Sequence, residues 1–233
     1  MKKIIAILLC ISALFALGAC GRLTEAKSES VKPEVYFTED KSGTYTDSVG
    51  NVYNYSYKIP AFSGGSEDAE RINKYFDDTL RPIVEDELAA MENKLSLTTG
   101  VKCEVFESCD VTSVLVSVYY PNDYIQYYTA SMNTRENREM NNADIAAAYG
   151  IDEVDLPDKL REEAKAAVEK YYADFGDISG DGFADVTGTR DETLAVIGSD
   201  EWEPTLFING EGKVCMISEV MSPVGRYNQI FVL

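Results

Sequence analysis

The densest set of metal-capable oxygens in the chain is Asp177-Ile178-Ser179-Gly180-Asp181-Gly182-Phe183-Ala184-Asp185. Asp177, Ser179, Asp181 and Asp185 offer side-chain oxygens at the first, third, fifth and ninth loop positions, and Phe183 offers its carbonyl at the seventh. Gly182, at the sixth, permits the sharp turn. This spacing suits calcium, a hard cation that collects about six to eight oxygens from a short loop. The closing position holds Gly188 where a bidentate Glu belongs, so Asp191 or Glu192 would have to reach in. Calcium is the one cofactor this spacing implies; without it the segment is an acidic, glycine-rich surface loop.

Catalytic chemistry has less to work with. The chain contains no histidine, which removes Ser/His/Asp and Cys/His triads in their usual form and His-ligated zinc. Glycoside hydrolysis needs only two carboxyl groups roughly 5–10 Å apart. Among 40 Asp and Glu, such pairs arise without any catalytic purpose. Glu85, Asp86, Glu87, Glu162 and Glu163 read as solvated helix faces, and no catalytic residue is assigned. Tyr119, Tyr120, Tyr124, Tyr127 and Tyr128 cluster; on alternating strands such rings are half-buried packing more often than sugar platforms. Trp202, the single tryptophan, lies between Glu201 and Glu203, and exposure there would mark it as a contact residue.

The first residues carry a different signal. Met1-Lys2-Lys3 precedes an apolar run from Ile4 to Leu17, followed by Gly18-Ala19-Cys20. A basic start, a short apolar core and small residues before a cut site make a signal peptide over residues 1–19. Leu17-Gly18-Ala19-Cys20 fits the lipobox of bacterial lipoproteins. The expected mature chain therefore starts at a lipidated Cys20, secreted and anchored to the outer face of the cytoplasmic membrane or to the cell envelope. Acyl chains anchor a protein without spanning the bilayer. Residues 20–34 are polar and patternless, a flexible tether.

The formal net charge is −19, and loss of Lys2 and Lys3 with the leader makes the mature chain more acidic still. That argues against nucleic acid as a partner, since phosphate contacts need a basic face. It favours solubility and attraction of cationic proteins. Of five Cys, Cys103, Cys109 and Cys215 remain after the leader and the lipid site. An odd set is a poor disulfide framework, and Cys103–Cys109 closes only across a tight turn.

The elements that must position these residues alternate between strand and helix patterns. Val35–Pro60 reads as two strands about a turn at Ser48-Val49-Gly50-Asn51. Ser66 can cap a helix bearing Ala69, Ile72, Phe76, Leu80 and Val84 at helical spacing, with a kink or break near Arg81 imposed by Pro82. Strands are expected at Val101–Phe106, Val111–Tyr120 and Tyr124–Asn133, and a short helix at Ala143–Tyr149. A longer helix should run from Pro157 to Gly176. Further strands are expected at Thr193–Ile197, Thr205–Ile208, Val214–Val220 and Gln229–Leu233. The fold class is α+β, antiparallel sheets with packed helices, as two small subdomains (35–100 and 101–233) or one composite domain.

Several segments, in order, resemble the paired extracellular domains of the lysozyme-sensing anti-sigma factor RsiV, a pair that also precedes the catalytic domain of PdaC-type peptidoglycan deacetylases. They are Tyr55-Ser56-Tyr57-Lys58-Ile59-Pro60 before Ile72-Asn73-Lys74, Ser113–Tyr120 leading to Tyr128–Asn133 and Asn142-Ala143-Asp144-Ile145, and Thr205–Val214. Together they cover most of residues 50–233. Where that family often carries a Gly-Gly-Ala-His stretch, this chain has Pro121-Asn122-Asp123. It also has no second membrane-length apolar stretch, so an anti-sigma role does not transfer. The resemblance implies an extracellular envelope-binding fold without chemistry of its own. The expected function is thus a non-catalytic lipoprotein binding a wall glycan or a cationic, lysozyme-like protein. The alternatives are a carboxylate-dependent enzyme acting on wall polymers and a calcium-stabilised structural module.

Overall fold

The structure, a computed structural model, describes residues 32–120, 124–150, 156–174, 186–222 and 225–233. Lys32–Leu233 forms one compact unit. It opens with a hairpin of β1 (Val35–Thr46) and β2 (Val52–Phe62), followed by α1 (Glu67–Glu92). A four-stranded antiparallel sheet follows, ordered β3 (Gly100–Ser108), β4 (Val111–Tyr119), β5 (Ile125–Asn133), β6 (Arg138–Met140). Three helices come next: α2 (Asn142–Ala148), α3 (Leu156–Asp174) and α4 (Val186–Gly198). The last sheet is antiparallel β7 (Thr205–Ile208), β8 (Val214–Ser222) and β9 (Gly225–Val232). The fold is α+β. Among the described residues no helix is long and apolar enough to cross a membrane.

Alternation along β4 explains the layering. Val114, Val116 and Val118 join Ile72, Phe76 and Leu80 of α1 and Tyr57 and Ile59 of β2 in one core. Leu115, on the opposite face, packs with Phe207 of β7 and Cys215 of β8. The far face of the last sheet, through Leu206, Ile208, Val214 and Met216, packs on Leu160, Ala164 and Val168 of α3. The order through the molecule is therefore α1 with its hairpin, the four-stranded sheet, the three-stranded sheet, then α2–α4. Residues on both sides of position 100/101 share the first core. Because β4 is covered on both faces, Val111–Val118 is buried without interruption. Its buried Ser113 is satisfied locally: the Ser113 and Ser131 hydroxyls lie 2.7 Å apart, and Ser113 Oγ accepts from the Ile208 N–H at 3.1 Å.

Three sequence-based expectations need correction. α1 runs unbroken through Pro82, with Ser66 Oγ accepting from the Ala69 N–H at its start. Pro82 sits on the exposed side, where water can satisfy the carbonyl one turn back that loses its donor. Residues 193–197 belong to α4, not to a strand. Thr193 and Ile197, one helical turn apart, are both fully buried, and the Thr193 hydroxyl donates to Thr189 O while accepting from the Met221 N–H of β8. Packing on β8 overrides the β-propensity of Thr, Val and Ile. Glu87, expected on a solvated face, is buried at 4% exposure. The turn between β3 and β4 is Cys109-Asp110, with Cys109 at φ 53°. Cys103, Cys109 and Cys215 are all free thiols.

Candidate binding groove

β2 places Tyr53, Tyr55 and Tyr57 at every second residue, hence on one face of the hairpin. Beside them runs the segment after α1, Leu97–Thr99, which leads into β3. Tyr119 and Tyr120, at the end of β4, complete an open groove of about 530 Å³ lined by residues 53–57, 97–102 and 119–120. Five of its lining residues are tyrosines. The Tyr55 and Tyr57 rings stack with centroids 5.6 Å apart, and Tyr120 lies 5.8 Å from Tyr124. Gly43, directly across the hairpin from Tyr55, leaves room for that ring: a Cβ there would stand 3.0 Å from the Tyr55 hydroxyl oxygen.

Two buried acids fix the groove walls from behind. Glu87 of α1 accepts from the Thr98 hydroxyl at 2.8 Å, the Thr98 N–H at 3.2 Å and the Tyr57 hydroxyl at 3.3 Å. Burial, then the Glu87 charge, pushes the Tyr57 phenol well above its ordinary value, so it remains a donor. Asp47, in the β1–β2 turn, accepts from the Val49 and Asn51 N–H groups, the Asn51 side chain, Tyr53 and Ser96 at 2.9–3.2 Å. Burial pushes its carboxyl up, but the hydrogen bonds from Ser96, Asn51 and Val49 outweigh that and hold its pKa at about 2. Asp47 thus ties the hairpin turn to the segment that follows α1, as do Tyr45 Oη to Leu95 O and the Ser48 N–H to Lys94 O.

Chemically, the groove offers aromatic faces, phenol and threonine hydroxyls, and one cation, Lys102. No carboxylate lies among the described residues that line it. Such a surface can stack on and hydrogen-bond a neutral polyol.

No family model matches the chain, and no curated protein matches it. Among solved structures it is similar to a crystal structure of a member of the DUF3298 family from Bacteroides fragilis. That likeness has a TM-score of 0.39 at 10% identity and covers 88% of this chain and 92% of the other.

The residues singled out from the sequence are distributed unevenly about this groove. Cys20 and the loop residues Asp177, Ser179, Asp181, Phe183 and Asp185 lie outside the described residues. The loop is bracketed by α3, ending at Asp174, and α4, starting at Val186. Gly188, Asp191 and Glu192 fall inside α4, and Asp191 is paired with Arg190 at 2.8 Å. Among the described residues no three Cys, Asp or Glu converge in a way that could hold a metal ion. Tyr119 and Tyr120 reach the groove, whereas Tyr127 and Tyr128 face a second depression near Trp202. Trp202 is half-buried and donates through Nε1 to Ser218 Oγ at 3.2 Å. Sequence reasoning missed the groove because its tyrosines come from segments far apart in the chain. The available signal was the Tyr53-Asn54-Tyr55-Ser56-Tyr57 alternation, which reads equally well as an ordinary strand.

Proposed function

We propose that the protein is a cell-envelope lipoprotein, held through lipid on Cys20, that binds a wall glycan strand in the tyrosine groove without cleaving it. The observation that carries this reading is the groove itself, with Tyr53, Tyr55, Tyr119 and Tyr120 accessible over the buried Tyr57 and no lining carboxylate among the described residues. Its size falls in the range of small-ligand sites, and its open form suits a chain passing through. Rings stack on the apolar faces of sugars while hydroxyls and Thr98–Thr99 meet the equatorial oxygens. Calcium in the Asp177–Asp185 loop would serve this protein as a structural ion.

Surface plasmon resonance against soluble muropeptides tests the proposal. Stacking contacts are little affected by salt, so affinity should change less than twofold between low and physiological ionic strength. Tyr55→Ala should weaken binding about five- to tenfold, an aromatic stacking loss of about 1–1.4 kcal/mol. Equal affinity in wild type and Tyr55→Ala, or turnover of the glycan, would overturn it.

A further inference from the structure

We propose that the outer edge of β5 docks an extended, lysine- or arginine-rich segment of another protein by strand addition. β5 pairs with β4 along its whole length, but β6 covers its outer side only at Ser131–Asn133. Ile125–Ala130 therefore has a strand neighbour on one side alone. The ladder's alternation shows which backbone groups remain. Tyr120 N–H to Tyr124 O and Thr134 N–H to Asp110 O turn the even-numbered residues of this strand and its ends toward β4. Ser131 and Asn133 turn toward β6, so Ile125, Tyr127 and Thr129 present their N–H and C=O groups outward. The Asn228 amide reaches Ile125 O at 3.4 Å. The outward groups of Thr129 meet no strand among the described residues.

Proteins blunt an exposed edge with lysine, proline, a bulge or a covering element. Ile125-Gln126-Tyr127-Tyr128-Thr129-Ala130 has no charge and no proline, and its register with β4 is unbroken. In place of a cover there is a groove of about 330 Å³, walled by Tyr75 and Tyr128 on the α1 side and by Glu201, Trp202, Glu203 and Glu219 on the side of the last sheet. No Lys or Arg is among the described residues that line it. Arg226 meets Glu219 at 3.1 Å, while Glu201 and Glu203 have no ion-pair partner among the described residues.

Charge decides the occupant. A bare edge would accept any extended chain, including a second copy, but a second copy carries a net charge of −19 and meets these glutamates with repulsion. A basic segment meets attraction. Side chains of an added strand alternate between faces, so basic residues at every second position would point at Glu201 and Glu203 while the intervening ones pack on Tyr75 and Tyr128.

Trp202, the single tryptophan, reports the experiment. The full chain in detergent is titrated with a blocked nine-residue peptide of alternating lysine and valine, and Trp202 emission is followed. A saturable change is expected. Affinity should fall at least tenfold when alternate peptide nitrogens on one edge are methylated, because the donors toward β5 are lost. It should also fall at least tenfold in the exposed double variant E201K/E203K, and should not change in Tyr55→Ala. The methylated peptide binding as tightly as its parent would show charge attraction alone and overturn the proposal. So would the absence of any saturable change at millimolar peptide. A dimer in sedimentation that Thr129→Pro dissociates, the outward N–H of the edge being lost, would assign the edge to a second copy instead, and would equally overturn it.

Discussion

Asp47 shows how one short side chain organises a surface. Its two oxygens collect donors from its own turn, from Tyr53 beside the groove and from Ser96 beyond α1. With a folded pKa of about 2 against an ordinary 3.8, it stabilises the charged, folded form. That contribution is complete above about pH 4 and is lost as pH falls from there toward 2. Asp68, Asp77 and Asp144, held below their usual range chiefly by hydrogen bonds, act in the same direction, so the share due to Asp47 has to be read by difference. In acid titrations followed by thermal melting, Asp47→Asn should be less stable than wild type at pH 6, and the two curves should converge toward pH 2. A constant gap down to pH 2 would assign the effect to lost packing. Glu87 teaches a related lesson, since nothing in Val84-Glu85-Asp86-Glu87-Leu88 marks the third acid as the one that turns inward to Thr98 and Tyr57.

At the level of elements, legibility depended on how much of each pattern was local. The Ser66 cap, the spacing of Ile72, Phe76, Leu80 and Val84, and the strand alternations rest on near neighbours, and those elements stand where the sequence placed them. β6 escaped notice because three residues, Arg138–Met140, carry no periodicity. α4 was misread because Thr193-Leu194-Ala195-Val196-Ile197 is strand-like in composition, and only a partner distant in sequence decides otherwise. That partner contact can be removed by one substitution, which also ends the Thr193 hydroxyl's bonds to Thr189 O and the Tyr172 hydroxyl. Thr193→Val keeps the shape of a fully buried side chain but leaves the Met221 N–H without its acceptor. The cost should be about 1–3 kcal/mol, measured by urea denaturation, with the helix retained. A loss under about 0.5 kcal/mol would mean that β8 is held by its strands alone.

For the whole molecule, charge sets the context. A net charge of −19 over the chain favours solubility and the attraction of cationic molecules. The lipid reading of Cys20 is the part of the function that the sequence carries most directly, because a cut-site motif is local by nature. Cys20→Ala should abolish lipid labelling and release the protein from membranes or leave it unprocessed, as read by fractionation and mass spectrometry; retention equal to wild type would remove the anchor from the proposal. The groove was not legible in the same way. Tyr55, Thr98 and Tyr119 are brought together only by the way β2 lies beside β3, and no pattern along the chain encodes that.

β4 supplies residues to every apolar cluster of the molecule: Val111 to one, Val114, Val116 and Val118 to another, Leu115 to the third. Opening of β4 would disturb all three clusters at once. Unfolding should therefore be a single cooperative event, with calorimetric and van't Hoff enthalpies agreeing. The β4 amides should exchange with deuterium only through that global opening, as slowly as any in the protein. Two separate heat-absorption peaks would show that the halves part company. Otherwise, whatever binds at the tyrosine groove or at the β5 edge slows the unfolding of the whole chain, so a ligand for either face would protect both from proteolysis.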